Sequence, residues 1–430
     1  MAEPSAVSLF DAYAVSDVLL IFAYQMSNPV YQHDETSPGT CHQQWHEGKP
    51  VLLTKRKTTS SIQGTMSVLF AIGSNGSGQL GLAHKEDVSV PKQVLFHPDQ
   101  PSSPITRIAA GGNHTLLLTG DGHLYWSGDP TPGACGLTAE ATATEPVFQP
   151  VRLSKDGPST GVRDVALVTA TWEASFVARR DADGKVTQLW SFGSGAKGEL
   201  GQGELLVRSP SGTLFKEFPP AGTEIVDLAA CMGHVVVVLS NGDAYGWGNG
   251  RKGQTGNPEG VLHQPRRIEG LDFKVTRAVC GREFTCLFGD NETGRLAVLG
   301  SDKWNTRSSA PSSVPGWKDV GASWGGIYVL KQDGTLLCWG RDDHGQLAPP
   351  NLPKLARVAI GSEHVVAMSE EGDVLAWGWG EHGNCGPQVE NNDVKGRWNV
   401  IASSRFIPPG SQITGIGAGC ATSWVDITTG

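Results

Sequence analysis

The chain has no excess of basic residues, no paired-cysteine motif, no long apolar run and no Ser-His-Asp, Cys-His or paired-carboxylate set that can be singled out. Thirty-four Lys and Arg stand against 43 Asp and Glu, a net charge of -9. A nucleic-acid binder needs a basic patch or tail to displace counterions from phosphates. Residues 1–65 hold four basic and six acidic residues, so the remainder conceals no basic domain. Direct nucleic-acid and membrane-surface partners are therefore not expected, and a protein partner is. Eight cysteines (Cys41, Cys135, Cys231, Cys280, Cys286, Cys338, Cys385 and Cys420) show neither a CxxC pair nor the spacing of a disulfide framework or zinc site. They read as free thiols of a reducing compartment, which predicts the cytoplasm with access to the nucleus. The most apolar run near the start, residues 18–24 (VLLIFAY), lacks a basic flank and is too short for a membrane span or a secretory signal.

What is present is glycine and proline, 56 and 26 of them, together with 39% hydrophobic residues, the mark of a folded chain rich in turns. At 430 residues it exceeds one ordinary core, so two domains or a repeat architecture are expected. Laid against itself, the chain repeats. Residues 107–128, RIAAGGNHTLLLTGDGHLYWSG, read as an apolar strand, a Gly-rich turn, a second apolar strand, a Gly-Asp-Gly turn and a third strand ending in Trp-x-Gly. First strands recur at 105–111, 162–170, 225–231, 275–281, 318–322, 356–361 and 413–419. Third strands running into glycine loops recur at 68–81, 124–136, 189–201, 244–256, 296–306, 336–347 and 374–386. Asn-Gly and Asp-Gly pairs such as Asn241-Gly242 and Asp333-Gly334 mark hairpins between second and third strands. Proline-marked segments such as 90–94 and 149–153 supply a fourth, outer strand, where an unpaired edge tolerates proline. Four antiparallel strands, seven times over, predict an all-β, seven-bladed β-propeller.

The ends are offset. The last repeat has only first and second strands, at 413–419 and 422–428, whereas the chain at Val68 enters as a third strand and continues into a fourth. The two halves complete one blade, so C-terminal strands pair with the strands after Met66 and close the ring. Two domains follow: a propeller over 66–430, and an extension over 1–65, expected to be disordered or an upstream stretch included by a wrong choice of start codon.

Several motifs tempt. Four GxGxxG matches, beginning at Gly76, Gly193, Gly248 and Gly378, run into another strand and not into the helix that a dinucleotide site requires. His114, His234 and His364 occupy one repeat position on three different blades, so they read as structural histidines bonding backbone near the channel, not as metal ligands. Cys135 and Cys385 stand where other repeats have Leu80 and Leu200, which makes them small core residues. Cys41, His42 and His46 are a weak metal pattern inside the extension. Trp126, Trp190, Trp247, Trp339 and Trp377 precede the loop glycines and are expected to pack between blades. No catalytic residue, cofactor or metal is predicted.

Other tryptophans do not fit that packing role. In an up-and-down blade, first-to-second turns and third-to-fourth loops emerge on one face. Trp172 and Trp324 lie in the turns, and Trp304 and Trp379 in the loops. Glu173, Arg282, Glu283, Arg341, Asp342, His344, Glu381 and His382 belong to the same set. Aromatics ringed by charge predict a protein-binding hot spot; the competing reading is that these tryptophans plug the channel mouth.

Over residues 66–430 the repeats resemble the regulator-of-chromosome-condensation family of seven-bladed propellers. "GSNGSGQLGLAHKEDVSVP" (73–91), "IAAGGNHTLLLTGDGHLYWSGD" (108–129) and the turn "ATWEAS" (170–175) look more narrowly like its fungal alpha-tubulin suppressor, or killer-toxin-insensitivity, subgroup. That resemblance implies a non-catalytic partner of a small CSL-type zinc- or iron-binding diphthamide protein. It would act as a monomer or 1:1 heterodimer, with the Elongator complex as a further partner. The pair would support diphthamide formation on elongation factor two and wobble-uridine modification of tRNA. The alternative is guanine-nucleotide exchange on a Ran-like small GTPase, with residues 202–223 the segment where a catalytic wedge could lie. A propeller enzyme lacks any convergent catalytic set.

Overall fold

The computed structural model describes residues 66–138, 145–154 and 161–429. The expected extension, residues 1–65, lies outside them, and so does the Cys41, His42, His46 pattern. Among the described residues there are twenty-six strands and no helix, gathered into seven antiparallel sheets. Blade 1 is Ile105–Ala110, His114–Thr119, Leu124–Gly128 and Gln149–Pro150. Blade 2 is Val165–Ala170, Ala174–Arg180, Val186–Ser194 and Arg208–Leu214, and blade 3 is Ile225–Cys231, His234–Leu239, Ala244–Gly250 and Gly260–Arg267. Blade 4 is Arg277–Cys280, Phe284–Phe288 and Leu296–Gly300, and blade 5 is Trp317–Ala322, Gly326–Lys331 and Leu336–Gly340. Blade 6 is Leu355–Ile360, His364–Ser369, Asp373–Trp379 and Asp393–Ser403.

Blade 7 joins the two ends. Gln412–Ala418 and Thr422–Thr429 pair with Met66–Gly73 and then Val88–Gln93. The joint runs in unbroken register from Met66 opposite Thr429 to Gly73 opposite Thr422, the closure that the offset repeats predict. Four strands in every blade is not what forms. Blades 4 and 5 have three, and in blade 1 the expected outer strand over 149–153 shrinks to Gln149–Pro150. The cause is local. Residues 349–353 hold Pro349, Pro350 and Pro353, and the stretch after blade 4 holds Pro311 and Pro315, so backbone donors for an outer ladder are missing. In blade 4 a single bridge, Arg295 with Ser313, is all that remains of it.

The second strands explain the core. HTLLLT, HVVVVL and HVVAMS are apolar at successive positions because each is buried on both faces. Leu116 and Leu118 pack toward blade 2 with Val165, Val177 and Phe192, while Leu117 packs toward blade 7 with Trp424 and Phe148. Val235 and Val237 face blade 2, and Val236 and Val238 face blade 4. The hydrophobic core is thus a circle of inter-blade clusters. Its inner wall is made of small residues, Ala110, Ala170, Ala230, Ala322 and Ala418, where first strands converge on an axial cavity of about 120 Å³.

The interior polar groups are joints between blades. His114, His234 and His364 are buried, and each meets a hydroxyl of the following blade: Ser175 at 2.9 Å, Thr285 at 3.0 Å and Ser423 at 2.9 Å. They bond side chains because the neighbouring second strand offers Ser or Thr at the facing position, and the backbone contact expected from sequence is present as well at His234, with Phe284, and at His364, with Thr422. Ser175 and Ser423 in turn donate to the carbonyls of Ala134 and Asn384. Trp247, Trp339 and Trp377 clamp the preceding blade by donating Nε1–H to the carbonyls of Glu199 (2.8 Å), Thr306 (2.8 Å) and Gln346 (3.2 Å). Trp126 is buried in the cluster between blades 1 and 2, where Trp190 also packs. Cys135 and Cys385 are fully buried core residues, and all seven described cysteines are free.

Candidate protein-binding face

One backbone device, repeated in every blade, builds the face that carries the predicted residues. Each third strand carries a glycine at or near its end, and the next residue donates its N–H to a carbonyl in the first-to-second turn. The pairs are Ser74 to Ala421, Asp129 to Asn113, Ser194 to Glu173, Asn249 to Gly233, Ser301 to Glu283, Arg341 to Gly325 and Trp379 to Glu363, all at 2.7–2.9 Å. The glycine permits that approach: at Gly340, φ is +117° and a Cβ would stand 2.4 Å from the Gly325 carbonyl oxygen. The GxGxxG matches are therefore loop geometry, and Asn305 takes the left-handed turn position in blade 4 with φ of 56°.

The turns are also tied to each other around the axial mouth. Gly112 donates to Trp172, Trp172 to Met232, Arg282 to Trp324, Trp324 to Ser362 and Ser362 to Gly419, at 2.8–3.0 Å. Trp172 thus projects from one hydrogen-bonded backbone arc, and Arg282 and Trp324 from a second. Trp172 and Trp324 line the axial cavity with ring centroids 6.0 Å apart, and Trp172 is still 37% exposed. These tryptophans line the channel mouth, and Trp172 also presents surface. At the opposite end, Arg107 reaches from blade 1 to the Leu228 carbonyl of blade 3, and Arg277 lies between Asp227 (3.5 Å) and Asp319 (3.4 Å).

Nine of the twelve predicted residues fall in two neighbouring clusters that meet at one recess. Arg282 lies over the Trp324 ring at 5.7 Å, and Arg341 over Trp304 at 5.1 Å; Glu283 follows Arg282 at the rim. Arg341 pairs with Asp343 through two hydrogen bonds of 2.7 and 2.8 Å and also with Glu363. The His344 Nε2 lies 3.8 Å from Glu363, and Nδ1 lies 2.9 Å from Asp393. Because a carboxylate only accepts, that Nδ1 carries the proton. His344 stands 6.3 Å from Trp379, Trp379 packs edge-on against His382 at 5.3 Å, and His382 reaches Asp87 at 2.7 Å. Glu173, Asp342 and Glu381 are exposed rim residues outside the chain of contacts.

Electrostatics follow from that wiring. Burial by itself would raise the Asp343 carboxyl, but hydrogen bonds from Arg341 and Gln346 outweigh it and hold it down to about 2. Burial raises Glu363 against the pull of Arg341 and His344. Burial also pushes the Cys231 thiol up to about 12 and Cys338 up to about 11, which keeps them from acting as nucleophiles at neutral pH. Among the described residues, no group of three or more His, Cys, Asp or Glu is placed to hold a metal ion.

Sequence reasoning missed Lys303, Glu363, Asp343, Asp393 and Asp87. Glu363 occupies the turn position of Glu173 and Glu283 and could have been found by alignment of repeats. Asp393 and Asp87 come from outer segments whose approach only the folded ring creates.

Residues 68–425 match the family model described as the RCC1-like domain. The chain belongs to that family. An RCC1 repeat-containing protein of Schizosaccharomyces pombe is 33% identical over 314 residues, covering 69% of this chain and 83% of its own length. The secretion-regulating guanine nucleotide exchange factor of Mus musculus is 28% identical, covering 70% of this chain and 66% of its own. Among solved structures, Prp20p of Saccharomyces cerevisiae, described with its binding properties to Gsp1p and histones, aligns with a TM-score of 0.66 and 21% identity. That alignment covers 85% of this chain and 92% of Prp20p. Human WBSCR16 aligns with a TM-score of 0.66 and 19% identity, over 83% and 99%. Both structural likenesses concern the fold.

Proposed function

We propose that this RCC1-like propeller is a non-catalytic docking protein whose partner is a small CSL-type zinc- or iron-binding diphthamide protein, with Elongator as a further partner. The pair would support diphthamide formation on elongation factor two and wobble-uridine modification of tRNA. The observation that carries the docking reading is the grouping of the face. Trp172, Trp324 and Arg282 form one contact cluster, side chains run in contact from Trp304 through Arg341, Glu363, His344 and Trp379 to His382 and Asp87, and both clusters line one recess. A preorganised, aromatic-rich surface of this kind loses little entropy on binding. The choice of partner rests on the narrower resemblance of residues 73–91 and 108–129. Affinity purification of the chain from its own cytosol, with mass spectrometry of what accompanies it, tests the choice. A stoichiometric small metal-binding diphthamide protein, lost on Trp172→Ala or Trp379→Ala, is the expected result; its absence contradicts the proposal.

A second reading, guanine-nucleotide exchange on a Ran-like small GTPase, is favoured by the mouse relative named as an exchange factor. Against it, residues 208–214 form the outer strand of blade 2, and Phe215 and Phe218 pack against Trp247. A third of the segment in which a wedge could lie is thus blade strand, and the loop before it carries the exposed Leu205. Accelerated release of labelled GDP from a Ran-like GTPase would establish this second reading instead.

A further inference from the structure

The face is not uniform in charge, and between blades 4 and 5 its residues define the chemistry of an occupant. A recess of about 280 Å³ opens there, walled by Trp304 and Trp324 and reached by Arg282, Lys303 and Arg341. Arg341 is already committed to Asp343 and Glu363. Arg282 and Lys303 are not. The Arg282 guanidinium lies over Trp324 and the Lys303 ammonium over Trp304 at 5.2 Å. Neither has a carboxylate partner among the described residues. Glu283 is the lining carboxylate left without a cation, since Glu363 is held by Arg341.

Two cations held on indole faces, at a half-enclosed site whose backbone is tied at Arg282, Trp324 and Arg341, are arranged before anything binds. A carboxylate between them gains charge-assisted hydrogen bonds, and an adjoining apolar residue gains the two tryptophan walls. The neighbouring recess, of about 420 Å³, carries Glu173, Glu199 and Glu283. Against these stand Lys197 and Arg282, so it suits an acidic segment less well than the recess between blades 4 and 5, where Arg282, Lys303 and Arg341 face Glu283 and Glu363. The same rim carboxylates and the net charge of -9 oppose a phosphate backbone.

We propose that the recess walled by Trp304 and Trp324 binds an acidic, partly apolar segment of a protein partner, with its carboxylate between Arg282 and Lys303. This rests on the reading of the face as a docking surface and adds the chemistry of what it grips.

Fluorescence anisotropy of the full chain with a labelled peptide of alternating Glu and Leu, about twelve residues long, tests it at low salt. The comparison probes are a Lys and Leu peptide and an oligouridylate of the same length. The Glu peptide should bind, weaken as salt rises, and lose about tenfold in affinity in an Arg282→Gln, Lys303→Gln variant. Removing two cations from the opposite face, Arg180→Gln with Lys185→Gln, should leave its affinity within about twofold. Lys303→Gln alone, at an exposed position, serves if the double variant has a lowered melting temperature, and should give an intermediate loss. Equal or tighter binding of the Lys peptide or the oligouridylate overturns the proposal. So does unchanged Glu-peptide affinity in the Lys303→Gln variant. Failure here with the metal-binding diphthamide protein still captured removes only the recess; loss of that capture with peptide binding intact removes only the choice of partner.

Discussion

Acidification should unlock the ring at its histidine joints. Burial lowers His114, His234 and His364 from 6.5 to about 4, the desolvated interior disfavouring the imidazolium. In the unfolded chain each takes up a proton near its ordinary value. Between about pH 6.5 and pH 4 the unfolded state therefore binds more protons, and stability rises with pH in that window. The contribution is complete above pH 6.5 and is lost as the pH falls toward 4. At about pH 5 each histidine removes about 2 kcal/mol, so the three together remove about 6 kcal/mol, a large share of a typical folding free energy. Burial raises the carboxyls of Glu199, Glu363 and Asp426, and these act in the opposite direction, so the wild-type profile alone does not isolate the histidines. Blade 4 supplies the control. Its residue at the same position is Phe284, paired with Gly300 as His114 is with Gly128 and packed against Gly281 as His114 is against Gly111. Ser175 and Ser423 keep their carbonyl acceptors without the histidine. A variant carrying His114→Phe, His234→Phe and His364→Phe should lose hydrogen bonds worth about 1 kcal/mol each at pH 7. It should also flatten the stability profile by up to about 1.4 kcal/mol per pH unit for each histidine replaced. Urea unfolding followed by tryptophan fluorescence from pH 7 to pH 4.5 measures both. Identical slopes for the variant and the wild type would refute the reasoning.

Three other perturbations probe different levels of the structure. Trp247→Phe, which keeps the buried ring but loses the donor to Glu199, should cost about 1 kcal/mol or more by thermal or urea unfolding, and Trp247→Ala about 3–5 kcal/mol. Gly340→Ala forces a left-handed backbone on alanine and a Cβ into the Gly325 carbonyl, so it should cost about 1–3 kcal/mol. It should also disturb Arg341 and the recess; a melting temperature equal to wild type would contradict the role assigned to that glycine. Removal of residues 412–430 takes away the two inner strands of blade 7, leaving Met66–Gly73 with an unpaired edge. Loss of cooperative unfolding and aggregation in size-exclusion chromatography are expected, and a soluble, cooperatively melting truncated protein would refute the closure.

The blades were legible because their signals are chemical and repeated: a doubly buried second strand reads as HVVVVL, a hairpin as Asn-Gly, and the closure as an incomplete last repeat. The Trp247, Trp339 and Trp377 clamps were legible for the same reason. Outer strands were not, since proline marks both an edge strand and the absence of one, and only the number of missing donors in residues 349–353 separates the cases. The face was legible as a set of loops but not as a set of contacts. Trp304 and Arg341 are far apart in the sequence, and their stacking depends on adjacent blades placing two loops side by side. The histidine partners were missed because a Ser or Thr on the next blade looks like an ordinary strand residue until the ring is assembled.

Hydrogen exchange of the chain, alone and with the purified CSL-type diphthamide protein, tests the central claim most directly. Protection is predicted in the turns and loops around 171–173, 282–283, 301–307, 323–325, 341–345 and 379–383. The hairpin tips on the opposite face, around 120–123, 181–185, 240–243 and 332–335, should exchange as before. Protection confined to the hairpin tips, or no change anywhere at saturating partner, would contradict the account.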